Sequence, residues 1–290
     1  MATTRTITAA TTGATTVDLS LLGTGGRVDV QAVPGLATAE ITISTTDDTG
    51  EAADAVTGAD LHWDPRGALV ARVQGQGTGG GTTTIITRPG HTITMQGIGT
   101  VYGSVTGMVI DGDLTIVGGH GAALVQGPAP VVVTARVPEG SSVAVTTQSA
   151  DLTTTGRLTA VAVTTQSGDL RVTTTNTFVD QVTATTQSGG VSVGTASTVS
   201  ARTMSGDVVL ERAVNAEVHT MSGDIRANWL GAGADLQTMS GDIRARAANP
   251  AAVTAGSMSG DVTVTASPDA PAGGPDAHAT SMTGQVSIRR

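Results

Sequence analysis

The sequence contains no cysteine, which excludes disulfide bonds, thiol catalysis and thiolate metal sites. Aromatic residues make up only 1% of the 290 residues, although 39% of the chain is hydrophobic. Nearly all of the apolar side chains are therefore Val, Ala, Leu and Ile, which build a thin core. A thin core of small side chains is more typical of a solenoid than of a globular domain.

Lysine is also absent, so all 15 basic residues are arginine, against 24 acidic residues and a net charge of -9. This negative field repels phosphate backbones, and we expect no nucleic-acid partner. No apolar run approaches the length of a membrane-spanning helix, so no transmembrane segment is predicted. The Thr-rich start lacks the apolar stretch of a signal peptide, which predicts a cytoplasmic protein for the sequence as written.

A short turn recurs throughout the second half, and its most regular form, "TMSGDIRA", stands at 220–227 and again at 238–245. The hydroxyl residue of each turn serves as an anchor. The anchors are Ser149, Ser167, Ser188, Ser205, Ser222, Ser240, Ser259 and Thr283. They span 134 residues over 7 intervals, or about 19 residues per repeat, and such a period indicates a solenoid.

Each repeat shows the alternation of apolar and polar residues that is typical of strands. Apolar residues recur six and four positions before each anchor and three positions after it, and these columns are expected to point inward. Strands that recur in the same direction pair in parallel, with successive rungs about 4.8 Å apart. We therefore predict an all-β fold, a parallel β-helix, with right-handed winding favoured by the crossover rule.

The first half is less regular than the second. The pattern predicts an N-terminal β cap over 1–72, irregular early rungs with a Gly-rich loop over 73–137, and regular rungs over 138–290, all within one continuous solenoid domain.

The turns "TTQSGDL" and "MSGDIRA", together with the opening "VDLSLLGTGGRVDVQ", resemble the bacterial putative-adhesin family of β-strand-repeat proteins. The resemblance implies a β-helix with a scaffold, envelope-stress or surface role, and an extracellular or cell-surface location. The architecture is also similar to that of bactofilins, β-helices that polymerise end to end.

The Ser-Gly-Asp turns form a ladder that we interpret as structural. Its members are Ser205, Gly206, Asp207, Ser222, Gly223, Asp224, Ser240, Gly241, Asp242, Ser259, Gly260 and Asp261. Stacked carboxylates could hold Ca²⁺ or polarise a sugar acid. We favour turn geometry instead, with each Asp satisfying amides of its own turn and each Gly adopting a positive φ at a corner.

Two columns flank the anchor on its N-terminal side. Thr or Ser recurs two positions before it, where buried hydroxyls bonding from rung to rung are favoured over an ice-binding face. One position before the anchor, the early repeats have Gln and the later repeats have Met. Strand alternation places this position on the outside, and we interpret the methionines there as an interaction face. This methionine stripe consists of Met204, Met221, Met239, Met258 and Met282.

No unrepeated cluster of catalytic residues stands out, and no cofactor or metal site is predicted. The sequence favours a non-enzymatic structural or adhesion-type scaffold that self-associates or binds an envelope partner. The alternatives are a carbohydrate-binding or carbohydrate-active β-helix and an envelope-stress regulator. We expect a homo-oligomer, through lateral packing of the methionine stripe or through end-to-end stacking at the final strand.

Overall fold

The computed structural model describes residues 2–23, 25–75, 82–88, 91–96, 99–103, 121–125, 130–174, 178–248, 251–267 and 276–289. Twenty strands of these residues form one hydrogen-bonded sheet that wraps into a solenoid. The all-β class predicted from the sequence is confirmed.

The second half is a stack of parallel strands, in which each turn of the wrap forms one rung. The strands are β12 (Ser142–Thr147), β13 (Asp151–Thr155), β14 (Ala160–Thr165), β15 (Leu170–Thr173), β16 (Val179–Thr186), β17 (Val191–Ser205), β18 (Val208–Ser222), β19 (Ile225–Ser240), β20 (Ile243–Ala247), β21 (Ala252–Ser259), β22 (Val262–Ala266), β23 (Asp276–Ser281) and β24 (Val286–Arg289). The three long strands, β17 to β19, each span one whole rung from one turn to the next, a path that other rungs divide between two strands.

The strand register confirms the apolar columns that the sequence predicts. Val143 pairs with Val161, and Val161 with Val182, so that equivalent residues lie directly above one another. On the strand after the turn, Ile225 pairs with both Val208 and Ile243. All six side chains are buried, and full burial of each contributes about 1.5–3 kcal/mol to folding.

The N-terminal strands join the same stack. They are β1 (Thr3–Thr8), β2 (Thr16–Leu22), β3 (Gly26–Val33), β4 (Glu40–Thr45), β5 (Asp60–Asp64) and β6 (Ala68–Gln74). Strands β2 and β3 pair in parallel with β12 and β13, so this early segment forms the rung directly beneath the first regular repeat.

Strand β11 (Val131–Pro138) lies at the same level of the stack as β6, although the two are far apart in sequence. Strand β6 pairs with β2, and β11 pairs with β3. Gly75 donates its backbone N–H to Leu22, and Val131 donates to Gly25, at distances of 2.8 and 3.3 Å. Gly75 and Val131, which lie at the two ends of the segment between β6 and β11, therefore contact the two ends of the connection between β2 and β3.

That segment contains two antiparallel pairs. Strand β7 (Thr82–Arg88) pairs with β8 (His91–Gln96), and β9 (Gly99–Gly103) pairs with β10 (Gly121–Val125). Most of the predicted Gly-rich loop at 74–81 lies outside the described residues. Strand pairing joins residues on both sides of the predicted boundary at 72, and the three-part division of the chain stays a prediction.

One short helix, α1 (Glu51–Thr57), interrupts the strands between β4 and β5. Its buried face includes Ala52, Ala55 and Val56, and Arg5 donates hydrogen bonds to the Thr57 and Ala59 carbonyls near its C-terminal end. The sequence pattern does not predict α1, because seven residues are too few to show helical periodicity. Among the described residues, no helix is long and apolar enough to cross a membrane.

Candidate functional site

The Ser-Gly-Asp turns lie directly above one another at one corner of the solenoid. Ser205 pairs with Ser222, Ser222 with Ser240, and Ser240 with Ser259. The sequence produces this alignment because the same residues precede and follow each turn, which leaves only one register that buries both apolar columns. Equivalent residues of successive turns therefore lie directly above one another.

The glycine of each turn faces the backbone of the rung beneath it. A Cβ at Gly223 would overlap the carbonyl oxygen of Gly206, and one at Gly241 would overlap that of Gly223. Only two of the four predicted positive-φ positions adopt such a conformation, namely Gly241 (φ +152°) and Gly260 (φ +147°). At Gly206 and Gly223, glycine is required because a side chain would overlap the rung beneath, and not because of a positive φ. This corrects the conformational argument made from the sequence.

The aspartates of the turns form a hydrogen-bonded ladder. Asp224 Oδ1 accepts from the backbone N–H of Asp242 at 2.8 Å, and Asp242 Oδ1 accepts from that of Asp261 at 2.9 Å. The same contact joins Asp151 to Asp169 at 3.0 Å. Each carboxylate thus binds an amide of the next rung, because stacking brings that amide within reach. The sequence-based prediction that each Asp binds an amide of its own turn is wrong.

We predict that Asp224→Ala destabilises the protein by about 1 kcal/mol, because the Asp242 amide loses its acceptor. Asp224→Asn should have a much smaller effect, since its side-chain oxygen still accepts the bond. Urea denaturation followed by circular dichroism measures both. Equal losses for the two variants would mean that charge, and not the hydrogen bond, is what the ladder requires.

The hydroxyl column lies inside the same corner and is buried. Ser257 Oγ donates to the Gly241 carbonyl at 3.0 Å, and Thr238 Oγ1 donates to the Gly223 carbonyl at 3.2 Å, both across rungs. Thr186, Thr203 and Thr220 have buried hydroxyls with no hydrogen-bond partner. The predicted bonding from rung to rung is therefore present only in the later part of the column.

The methionine stripe lies outside the corner, on the face opposite the hydroxyl column. Its side chains are 47% to 75% exposed, an unusual state for five large apolar residues. Met221, Met239, Met258 and Met282 line a groove of about 470 Å³ together with the turn hydroxyls of the same rungs. Among the residues that the structure describes, no charged side chain lines this groove.

Exposed glutamines occupy the stripe position in the three preceding repeats, where they are Gln148, Gln166 and Gln187. The Gln187 carbonyl accepts a hydrogen bond of 2.8 Å from the Ser205 backbone N–H, which places this residue one rung below Met204. The corner therefore carries a polar half and a thioether half with the same backbone geometry. The role of the methionine stripe as an interaction face stays a prediction.

Ionisable residues outside the corner do not gather into a site. Among the described residues, no group of three His, Asp or Glu side chains is arranged to hold a metal ion. Arg202 hydrogen-bonds Glu217 at 2.9 Å and holds the pKa of that carboxyl below its ordinary value, with a smaller effect from His219. These groups are solvent-exposed, so the pair contributes little to stability.

The chain shares its fold with a solved structure. The chain is similar to a structure described as a putative lipid binding protein from Parabacteroides distasonis ATCC 8503, with a TM-score of 0.50 and 10% identity over 99% of this chain and 96% of that one. A structure described as a putative adhesin from Bacteroides fragilis NCTC 9343 has a TM-score of 0.49 and 14% identity, over 98% of this chain and 96% of that one. No curated protein matches the chain.

The likeness to bactofilins that the sequence suggested stays a prediction. A family model covers residues 99–286, which include nearly all of the regular rungs and more than half of the segment between β6 and β11. Because this match extends over more than half of the sequence, the chain belongs to the Toastrack DUF4097 family.

Proposed function

We propose that this protein is a non-enzymatic, adhesion-type scaffold that associates with a second copy of itself through the methionine stripe. The observation that carries the proposal is the exposure of five methionines in register on one face of a regular stack. The proposed architecture is a right-handed coil of about 19 residues per rung with an N-terminal β cap. We also propose a cell-surface location, which the family resemblance implies.

A second copy is a suitable occupant because its stripe has the same spacing. Methionines recur once per rung, at about 4.8 Å, so the side chains of one stripe can enter the gaps of an identical stripe. Methionine is unbranched and flexible, which allows such interdigitation without a preformed shape. Because the groove is uncharged, two chains of net charge -9 meet there with the least repulsion.

The aspartate ladder gives no comparable support to the carbohydrate-active alternative. A sugar-acid or cation site would need carboxylate oxygens that converge on a shared space. The six Asp side chains of the column, from Asp151 to Asp261, instead each accept a backbone N–H of the adjacent rung with Oδ1. This geometry supports the interpretation of the column as a structural element.

We predict that the purified protein is a homo-oligomer at tens of micromolar concentration, and that Met221→Glu with Met239→Glu converts it to monomer. The two charges would be buried in the contact without partners, which is strongly unfavourable. Light scattering with sedimentation velocity gives the mass.

The matched control is Gln166→Glu with Gln187→Glu, which places two charges at the same corner position on glutamine rungs. This variant should keep the wild-type mass. A wild-type monomer would overturn self-association, and an oligomer unaffected by the Met substitutions would assign the contact to another surface.

A further inference from the structure

The methionine stripe presents a feature that apolar packing does not require, namely one thioether sulfur per rung. The chain uses Val, Leu and Ile for its buried columns, and any of these would also make an apolar face. Methionine at five successive rungs adds a soft, polarisable donor atom at each level. The sulfurs are accessible, because the side chains that carry them are about half exposed or more.

The spacing of the stripe is suited to a metal ion held between neighbouring rungs. Thr220 pairs with Thr238 and Ser222 with Ser240, so Met221 and Met239 occupy equivalent positions on adjacent rungs. Rungs lie about 4.8 Å apart, so an ion midway between two sulfurs at that spacing lies roughly 2.4 Å from each. This is close to the bond length of about 2.3 Å between zinc and a cysteine thiolate, the reference value for a metal–sulfur bond in proteins.

The ligand type determines which ion fits. Thioethers are soft, neutral donors that select Cu(I) over Mg²⁺, Ca²⁺ or Mn²⁺, which prefer oxygen ligands. The sequence predicts no metal site, and a thioether site departs from that prediction. A net charge of -9 also raises the local concentration of cations around the chain.

From these observations we propose that the methionine stripe is a binding site for a soft monovalent cation, Cu(I), coordinated by thioethers of adjacent rungs. Its centre is the groove lined by Met221, Met239, Met258 and Met282, where three successive gaps between rungs are each flanked by two sulfurs. This site uses the same side chains as the proposed self-association but does not rest on it, since metal binding needs the sulfur atoms and packing needs only the apolar surface. A second copy on the stripe would compete with the metal for these side chains.

The test uses the full chain with two probes, Ag(I) as a redox-inert substitute and Cu(I) maintained by ascorbate under argon. Uptake is measured by equilibrium dialysis with metal analysis and by competition with a Cu(I) chelator. Spectra of ¹³C-methyl-labelled methionine report which side chains contact the ion. The wild type is expected to bind at least one ion per chain, with shifted methyl signals from the groove methionines.

A variant with Met221→Leu, Met239→Leu, Met258→Leu and Met282→Leu removes the sulfurs but keeps an apolar groove. Its affinity for both ions is expected to fall by more than the roughly tenfold loss that changes outside the ligand set cause. Gln187→Met, which extends the stripe by one rung below Met204, is expected to increase the metal bound per chain. Circular dichroism of each variant confirms that the stack is folded.

Three results would overturn the site: no uptake by the wild type, undiminished uptake by the leucine variant, or displacement of Cu(I) by equimolar Zn²⁺. Failure of the metal site and failure of self-association are distinguishable in the same samples. The leucine variant keeps the apolar surface, so its mass reports self-association while its metal content reports the thioether site.

Discussion

Gly241→Val is expected to destabilise the protein by more than about 3 kcal/mol, the upper part of the range for single substitutions. Two effects combine at this residue. Its φ of +152° is strained for any side chain, and a Cβ would overlap the Gly223 carbonyl of the rung beneath. The two rungs are held together at this point, because Gly223 donates its N–H to the Ser240 carbonyl at 3.0 Å.

Three glycines separate the two effects, each tested by substitution with alanine. Gly67 has a φ of +84° with open space around it, and Gly223 lacks a positive φ but would meet the Gly206 carbonyl. Gly233 has neither feature, since a Cβ there would be 3.6 Å from its nearest neighbour. Urea midpoints should fall little for Gly233→Ala, moderately for Gly67→Ala and most for Gly223→Ala. A Gly223→Ala variant as stable as Gly233→Ala would contradict the close contact of rungs.

Leu210→Ala is expected to cost about 2–5 kcal/mol, the range for truncating a buried leucine. Leu210 is fully buried and pairs with Val193 in one neighbouring rung and Ala227 in the other. Because Ala227 is small and the backbones are held at a fixed spacing, neither neighbour can fill the cavity. Thermal and urea denaturation measure the loss.

The matched control is Val209→Ala on the same strand. Val209 points away from the core and is only partly buried, so its truncation should cost well under half as much. Similar losses for the two variants would mean that the inward and outward faces of β18 are reversed.

The sequence by itself determined the regular stack. Identical turns at a fixed period, with apolar residues at constant offsets, specify both the parallel pairing and its register, so that Val143, Val161 and Val182 could be aligned without a structure. This works because each rung pairs with the next copy of nearly the same sequence, and a shift by one residue would expose the core column. The outward position of the methionine stripe follows from the same alternation.

The candidate site could be predicted only partly from the sequence, because its contacts join different repeats. The sequence identifies which residues share the corner, but contacts between rungs depend on their separation and on the direction of each side chain. Asp224 therefore binds an amide of the next rung, and Gly223 is required by a carbonyl of the previous one. Neither contact is visible within a single repeat, since both partners belong to different copies.

Only the tertiary structure decided how the non-repeated residues join the stack. Thr15 donates its backbone N–H to Ser141 Oγ, 126 residues away, beside the rung in which β2 pairs with β12. Strands β6 and β11 share one level although a long segment separates them. These pairings bring together unlike sequences, so no local pattern records them, and the free energy of burying Val17, Leu19 and Val28 against the first regular rung selects their position.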